Sequence, residues 1–554
     1  MKKILFTALL FCAMSQVEAQ KTTIAQPNVI IIMADDLGYS DLGCYGGEIQ
    51  TPNLDKLAAN GLRMNNFHNN SRCCPTRASL LTGQYAHKVG LANNGSALTK
   101  NAITIPELLK ENGYQTGMVG KWHLSDDIQL STPEKQLKWL NHQDFLDSAF
   151  ASKSSYPINR GFQKHHGVIW GVVNYFDPFS LVEGETPVKT IADDFYMTDV
   201  INKKSVEYIN EFTAQKKPYF LYVAHTAPHW PIQARPEDIA KYKDTYKIGW
   251  DELRKQRYQK MVKMGLLNPK TTPMLEVMGK QGAWEKLTSE QKEFQAMKMA
   301  THAAMIDRID QGVGQIIETL TQNKTLNNTI IMFLTDNGAS PEVPLKPGYD
   351  RPSHARNGQK LLYDQDLKAN QVGSALSFTG IGSNWSNAAN TPYKFWKMES
   401  YEGGIHTPMI VHWPAGLKTP KGSINNSLGH VSDVLPTLLE INKIAYPKTY
   451  QSNTLTALDG KSFLPILKAK SKNYRDTIFF EHAKGKAFIK GNLKIVQKVN
   501  TNTWEMFDLS KDTNESNNIF STNTAIAQQM IKAWENWYDS LKPYIATSNS
   551  KADH

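Results

Sequence analysis

Two short runs constrain this chain more than any other part of it. Asn28-Val29-Ile30-Ile31-Ile32-Met33 and Thr329-Ile330-Ile331-Met332-Phe333-Leu334 are apolar and β-branched, with no polar alternation. A strand of that kind is buried on both faces, as in parallel sheets covered by helices, so the runs predict an α/β fold. Each empties into oxygen-rich residues, the first into Ala34-Asp35-Asp36-Leu37-Gly38 and the second into Thr335-Asp336-Asn337-Gly338. Sites in open α/β sheets lie at the carboxyl ends of strands. Adjacent carboxylates there repel unless a cation neutralises them, so a hard metal ion is the natural inference, with an Asp-Asp capping turn as the alternative for the first segment.

Other stretches extend the pattern. Residues 218–224 read as a buried strand leading to His225-Thr226-Ala227-Pro228-His229-Trp230-Pro231, and residues 114–119 as a strand delivering Gly120-Lys121-Trp122-His123-Leu124. Lys121 and His123, two apart on an extended segment, can point into one cavity. Residues 409–412 form a further strand; residues 103–112 and 430–439 read as helices, and 248–318 as mostly helical scaffold. The aromatics of 160–178 suit a packed loop core more than stacking on a ring. Residues 339–390 lack periodicity and read as a long excursion over the site. A polar connector at 445–458 suggests a boundary. Beyond it come four short strands at hairpin spacing (477–480, 486–489, 493–496, 504–507) and a helix at 525–541, which suit a small antiparallel sheet with a covering helix. The resulting division is a signal peptide at 1–19, a catalytic α/β domain at 20–445 and a small C-terminal α+β domain at 446–554.

The 554 residues, 40% hydrophobic and 21% charged, are enough for a large core. Lys2 and Lys3, an apolar stretch over 4–14 and Val17-Glu18-Ala19 read as a secretory signal, placing the chain in the periplasm or outside the cell. A lipoprotein site at Cys12 is disfavoured by the bulky Phe11 before it. Nothing later reaches the apolar length of a membrane span. The formal charge of +10 loses Lys2, Lys3 and Glu18 with the signal. The basic remainder suits an anionic substrate, is also what a solvated surface shows, and calls for no nucleic acid. Three cysteines remain, Cys44, Cys73 and Cys74, too few for a disulfide framework, with Cys44 and Cys74 left open as a pair.

The last feature is Cys73-Cys74-Pro75-Thr76-Arg77-Ala78-Ser79-Leu80-Leu81-Thr82-Gly83. Taken alone it also fits two buried cysteines before a turn. It resembles the signature of the type I sulfatases, Cys-x-Pro-x-Arg followed by Ala-Ser/Ala-Leu-Leu-Thr-Gly, whose cysteine is oxidised to formylglycine. Only Cys73 has proline two and arginine four residues ahead, so the register selects it over Cys74. A hydrated aldehyde offers one hydroxyl to attack sulfur and a second that re-forms C=O and expels sulfate, splitting a hard step into two easier ones.

The resemblance runs along nearly the whole mature chain and narrows to the bacterial arylsulfatase branch. It implies an alkaline-phosphatase-like mixed sheet sandwiched by helices. It further implies Ca²⁺, with Mg²⁺ as the alternative, held by Asp35, Asp36, Asp336, Asn337 and an oxygen of modified Cys73. Cys73 would be the nucleophile, Arg77, Lys121 and Lys397 charge stabilisers, and His123 the elimination base. His229, in Pro228-His229-Trp230-Pro231, would be the leaving-group acid, with His225 the weaker candidate. Lys397 stands five residues before Glu402-Gly403-Gly404, with Lys394 its neighbouring decoy; His406 would tune the leaving-group side. Ser125 replaces a frequent family glycine and touches only the turn. The implied reaction is hydrolysis of a sulfate monoester of an aryl or carbohydrate alcohol, after maturation by a formylglycine-generating enzyme. The rivals are a phosphonate or phosphate diester hydrolase of the same superfamily and a silent binding protein for sulfated glycans. The substrate loops carry no readable code for the ester or ring position.

Overall fold

The computed structural model describes residues 26–483 and 485–549; the signal-peptide reading and Cys12 lie outside the described residues. An eleven-stranded mixed sheet organises the chain. At its centre the Asn28–Ala34 strand runs parallel to Thr329–Thr335 on one side and to Tyr219–Ala224 on the other. Gln115–Lys121 and Lys164–Val168 continue the parallel set, and the Leu181–Glu183 strand turns back against it. On the other flank His406–His412 is antiparallel to Thr329–Thr335 and to Leu62–His68.

The central strand shows why its run is unbroken. Ile30 and Ile32 pack into one core with the Met197–Ala214 and Ser289–Gln322 helices, while Val29, Ile31 and Met33 pack into a second with Cys73–Thr82 and Val434–Asn442. Burying each such side chain contributes roughly 1.5–3 kcal/mol. Cys44 belongs to the first core and Cys74 to the second, so the sheet stands between them; both are free thiols and the open pairing is not formed.

Three features differ from the sequence reading. Leu62–His68 is a sheet strand although Arg63, Asn65 and Asn66 interrupt its apolar residues, because these positions are only half-buried. Lys164–Val168 is another, hidden by its histidines and by Gly167, where a Cβ would stand 1.9 Å from the Gly120 carbonyl. Between the Gly249–Lys263 and Ser289–Gln322 helices the chain is not helical except for a short turn at Trp284–Lys286, since Gly265, Pro269, Pro273 and Gly282 punctuate it, two of them in left-handed backbone.

The small sheet pairs Thr477–His482, Gly485–Lys490, Leu493–Gln497 and Trp504–Asp508 in antiparallel order. One face packs Phe488, Ile495 and Met506 against Met530 and Trp534 of the Thr524–Asn549 helix. The other packs Ile478, Phe480 and Val496 against Tyr401 and Ile405, just ahead of the His406–His412 strand of the large sheet. Among the described residues no helix is long and apolar enough to cross a membrane.

Candidate active site

The parallel register places Ala34 beside Thr335, so Asp35-Asp36 and Asp336-Asn337 leave the sheet side by side. Asp36 turns back in left-handed backbone, an uncommon conformation that Asp tolerates better than most residues. Its N–H donates to Asp336 Oδ1 at 3.2 Å, and Asn337 Nδ2 donates to Asp36 Oδ1 at 2.6 Å. Lys121, closing the Gln115–Lys121 strand two places along the sheet, donates to Asp35 Oδ2 at 2.5 Å. Arg77 donates through both Nε and Nη2 to Asp336 Oδ2, at 3.1 and 2.7 Å.

These groups are almost wholly buried, and their electrostatics are unbalanced. Burial, then the charge of Asp336, pushes Asp35 well above the usual carboxylate range, and Asp36 is raised chiefly by burial. For Asp336 the burial effect is outweighed by Arg77, Lys121 and Lys397, which hold it below its ordinary value. Two oxygens that face this cluster, Asp35 Oδ1 and Asn337 Oδ1, are buried without a hydrogen-bond partner. Orphaned oxygens beside strained carboxylates are what a hard oxygen-binding cation would satisfy, so Asp35, Asp36, Asp336 and Asn337 fit a site for one. One ligand atom each of Asp35, Cys73 and Asp336 also falls within 4.8 Å of the others.

Cys73 is the first residue of its helix, which aims the helix's free N–H groups toward anything bound there. Its Sγ lies 3.4 Å from His123 Nδ1. Burial, Lys121 and Arg77 push His123 well below the usual histidine range, leaving a neutral ring able to accept a proton. Lys397 Nζ contacts Asp36 Oδ1 at 2.9 Å, Glu342 Oε2 at 3.1 Å and His229 Nε2 at 3.2 Å. The other nitrogen of His229 faces the Trp230 carbonyl at 2.5 Å, and burial with Lys397 and Lys121 holds this ring neutral as well. All ten sequence-selected residues thus converge on one edge of the sheet.

The secondary candidates fall elsewhere. Lys394 lies over the rings of Tyr401 and Phe507 at 5.4 Å, away from the carboxylates. His225 is buried with both ring nitrogens unpartnered and is pushed down to about 3 by burial. His406 is taken up by Glu402 Oε2 at 2.7 Å and the Asn65 carbonyl at 2.7 Å, so it braces the Glu402 turn rather than facing a leaving group. Ser125 donates to the Ser155 carbonyl at 3.1 Å. Sequence reasoning missed Glu342, which receives Lys397, the Trp230 indole N–H at 3.1 Å and, more loosely, Arg72 at 3.9 Å. It sits in the aperiodic 339–390 stretch, where no spacing marks it.

The sulfatase family model matches residues 27–444, and a second model, N-sulphoglucosamine sulphohydrolase C-terminal, matches 393–538. An uncharacterised sulfatase of Schizosaccharomyces pombe is 32% identical, covering 92% of this chain and 93% of its own. An arylsulfatase of Klebsiella aerogenes is 33% identical over 81% of this chain and 94% of its own. The crystal structure of Ps i-CgsB in complex with k-i-k-neocarrahexaose superposes with a TM-score of 0.63 at 25% identity, covering 92% of each chain. A strand-end carboxylate cluster facing a cysteine at a helix N-terminus, within a family match that takes in the whole of the large sheet, is the mark of a sulfuric ester hydrolase, and the chain belongs to the sulfatase family.

Proposed function

We propose that this protein is a periplasmic or secreted sulfatase that cleaves sulfate monoesters of aryl or carbohydrate alcohols with formylglycine made from Cys73, its catalytic α/β domain ending near residue 445. The observation that carries the reading is Cys73 at a helix N-terminus between His123 and the Asp35–Asp336 cluster. The aldehyde supplies a hydrate whose hydroxyl attacks sulfur. Asp35, Asp36, Asp336 and Asn337 would hold a divalent cation, which would supply positive charge to the bound sulfate. Lys121 and Lys397 flank the same space and stabilise the developing negative charge, while Arg77 fixes Asp336 through its forked contact. His123 takes the proton from the second hydroxyl, for which its neutral ring is suited. The Klebsiella arylsulfatase supports the aryl end of the substrate range and the carbohydrate-bound relative the sugar end.

Comparing kcat/KM for a nitrophenyl sulfate and the matching aryl phosphonate tests the assignment. Sulfate should lead; a phosphonate turned over faster would favour the diester-hydrolase rival.

His229 would protonate the departing oxygen. At rest the ring is neutral with Nδ1 turned to the Trp230 carbonyl, so the proton that Nε2 passes to the departing oxygen is one drawn from the Lys397 ammonium 3.2 Å away. A phenolate carries negative charge far better than a sugar alkoxide, and general acid catalysis contributes about 10² to 10⁴ in rate. His229→Ala is therefore expected to cost close to that range on a sugar sulfate and much less on nitrophenyl sulfate. Equal losses on the two substrates, in a folded variant, would reject the proton-donor role.

A further inference from the structure

Two segments that carry reacting groups meet beneath the site at Glu402. His68 stands five residues before Cys73, and Glu402 five residues after Lys397. His68 Nε2 and His406 Nδ1 lie 3.0 and 2.7 Å from the same oxygen, Glu402 Oε2. The other oxygen accepts from Lys494 Nζ at 2.6 Å, and Lys494 also reaches Glu515 Oε1 at 2.7 Å. Glu515 Oε2 in turn accepts from the Glu402 backbone N–H at 2.8 Å. These five side chains are at most 5% exposed, and Glu515 is held in left-handed backbone. Lys494 comes from the Leu493–Gln497 strand and Glu515 from the segment after Trp504–Asp508, so this buried charge is delivered to the catalytic core by the small sheet.

The Glu402–Ile405 turn passes the restraint on without slack. A Cβ on Gly403 would stand 2.0 Å from the Lys394 carbonyl, and one on Gly404 2.0 Å from that of Glu399, so the loop bearing Lys397 rests directly on the turn. Phe395 and Met398, on either side of Lys397, are in left-handed backbone, and the Met398 N–H donates to the Ser71 carbonyl at 2.8 Å, tying this loop to the Cys73 segment. His68, Glu402 and His406 have the spacing of metal ligands, but the Lys494 ammonium already supplies the cation that Glu402 requires.

We infer that Lys494 and Glu515 are positioning residues for sulfate hydrolysis, setting through Glu402 where Lys397 and Cys73 stand around the sulfate. The inference rests on the proposed role of Lys397 as a sulfate contact. A misplacement of about 1 Å costs up to about 10²-fold in rate, which makes the effect measurable. Lys494→Met is expected to lower kcat/KM on nitrophenyl sulfate by about 10- to 100-fold and to raise the Ki of inorganic sulfate, with Lys494→Arg partly restoring both. Glu515→Gln keeps the shape and should give a smaller change in the same direction; if Lys494→Met does not fold, this variant decides. Met506→Ala, fully buried on the face of the same sheet that packs against the C-terminal helix, serves as the stability control and should lower Tm with the sulfate Ki unchanged.

The inference is overturned if folded Lys494→Met or Glu515→Gln keeps wild-type kcat/KM and sulfate Ki, or if Met506→Ala reproduces their kinetic losses. Lys397→Ala separates the two levels. Should it leave the sulfate Ki unchanged, the reading of Lys397 fails and takes the inference with it. Should it raise the Ki while the two small-sheet variants do not, the positioning role alone is rejected.

Discussion

Cys73→Ala is expected to fold and to lose at least about 10³-fold in sulfate ester turnover, since without the nucleophile the covalent route is closed whatever the assisting groups do. The substitution deletes one sulfur from a site whose other charged groups pair among themselves, so the loss should appear in kcat with little change in Tm. Peptide mass spectrometry of active wild-type protein should show the decrease that accompanies conversion of CH₂SH to CHO at this residue, with Cys74 unchanged. Fully active enzyme carrying an intact Cys73 thiol would defeat the aldehyde mechanism. Cys74→Ala is the companion variant: its sulfur is packed in the second core, 3.9 Å from the Asn93 carbonyl, and its loss should leave turnover close to wild type.

Asp336→Ala is expected to remove bound metal and activity together and to destabilise the fold. The two effects have separate causes. As a proposed ligand, Asp336 would supply an oxygen to the cluster at the strand ends. As an ion-pair partner it receives both donors of the Arg77 fork, and Arg77 is fully buried. Breaking a buried pair by removing one partner costs about 3–5 kcal/mol. Metal analysis after gel filtration, read beside thermal unfolding, tests both parts, and full metal occupancy in the variant would reject the ligand assignment. Arg77→Met in the same background should recover part of the lost stability without restoring metal, because it withdraws the unpaired charge.

How much of this was legible follows from how local each signal is. The strand-end carboxylates stood out because a doubly buried strand must be continuously apolar, and an abrupt change to Asp-Asp or Asp-Asn has few structural reasons. The Cys73 segment was legible because its chemistry needs particular residues at fixed offsets on one helix. Leu62–His68 escaped because an outer strand with half-buried polar positions loses the apolar signature. Glu342 escaped because its partners, Lys397, Trp230 and Arg72, come from three separate segments. The Lys494–Glu402–His68 chain is less local still: its links join residues 92 and 334 positions apart, and no spacing rule reaches so far.

The burial of Cys73 bears on when the protein can become active. Only 2% of its surface is exposed, and all ten residues of its helix are buried between the sheet and the Val434–Asn442 helix. No second protein can grip the segment once these layers have closed. An enzyme that oxidises this cysteine must therefore meet the chain while the helix is still undocked. On the proposed aldehyde mechanism the fraction of active molecules would then follow a race between folding and modification, and conditions that hasten closure of the fold would lower the yield of working enzyme.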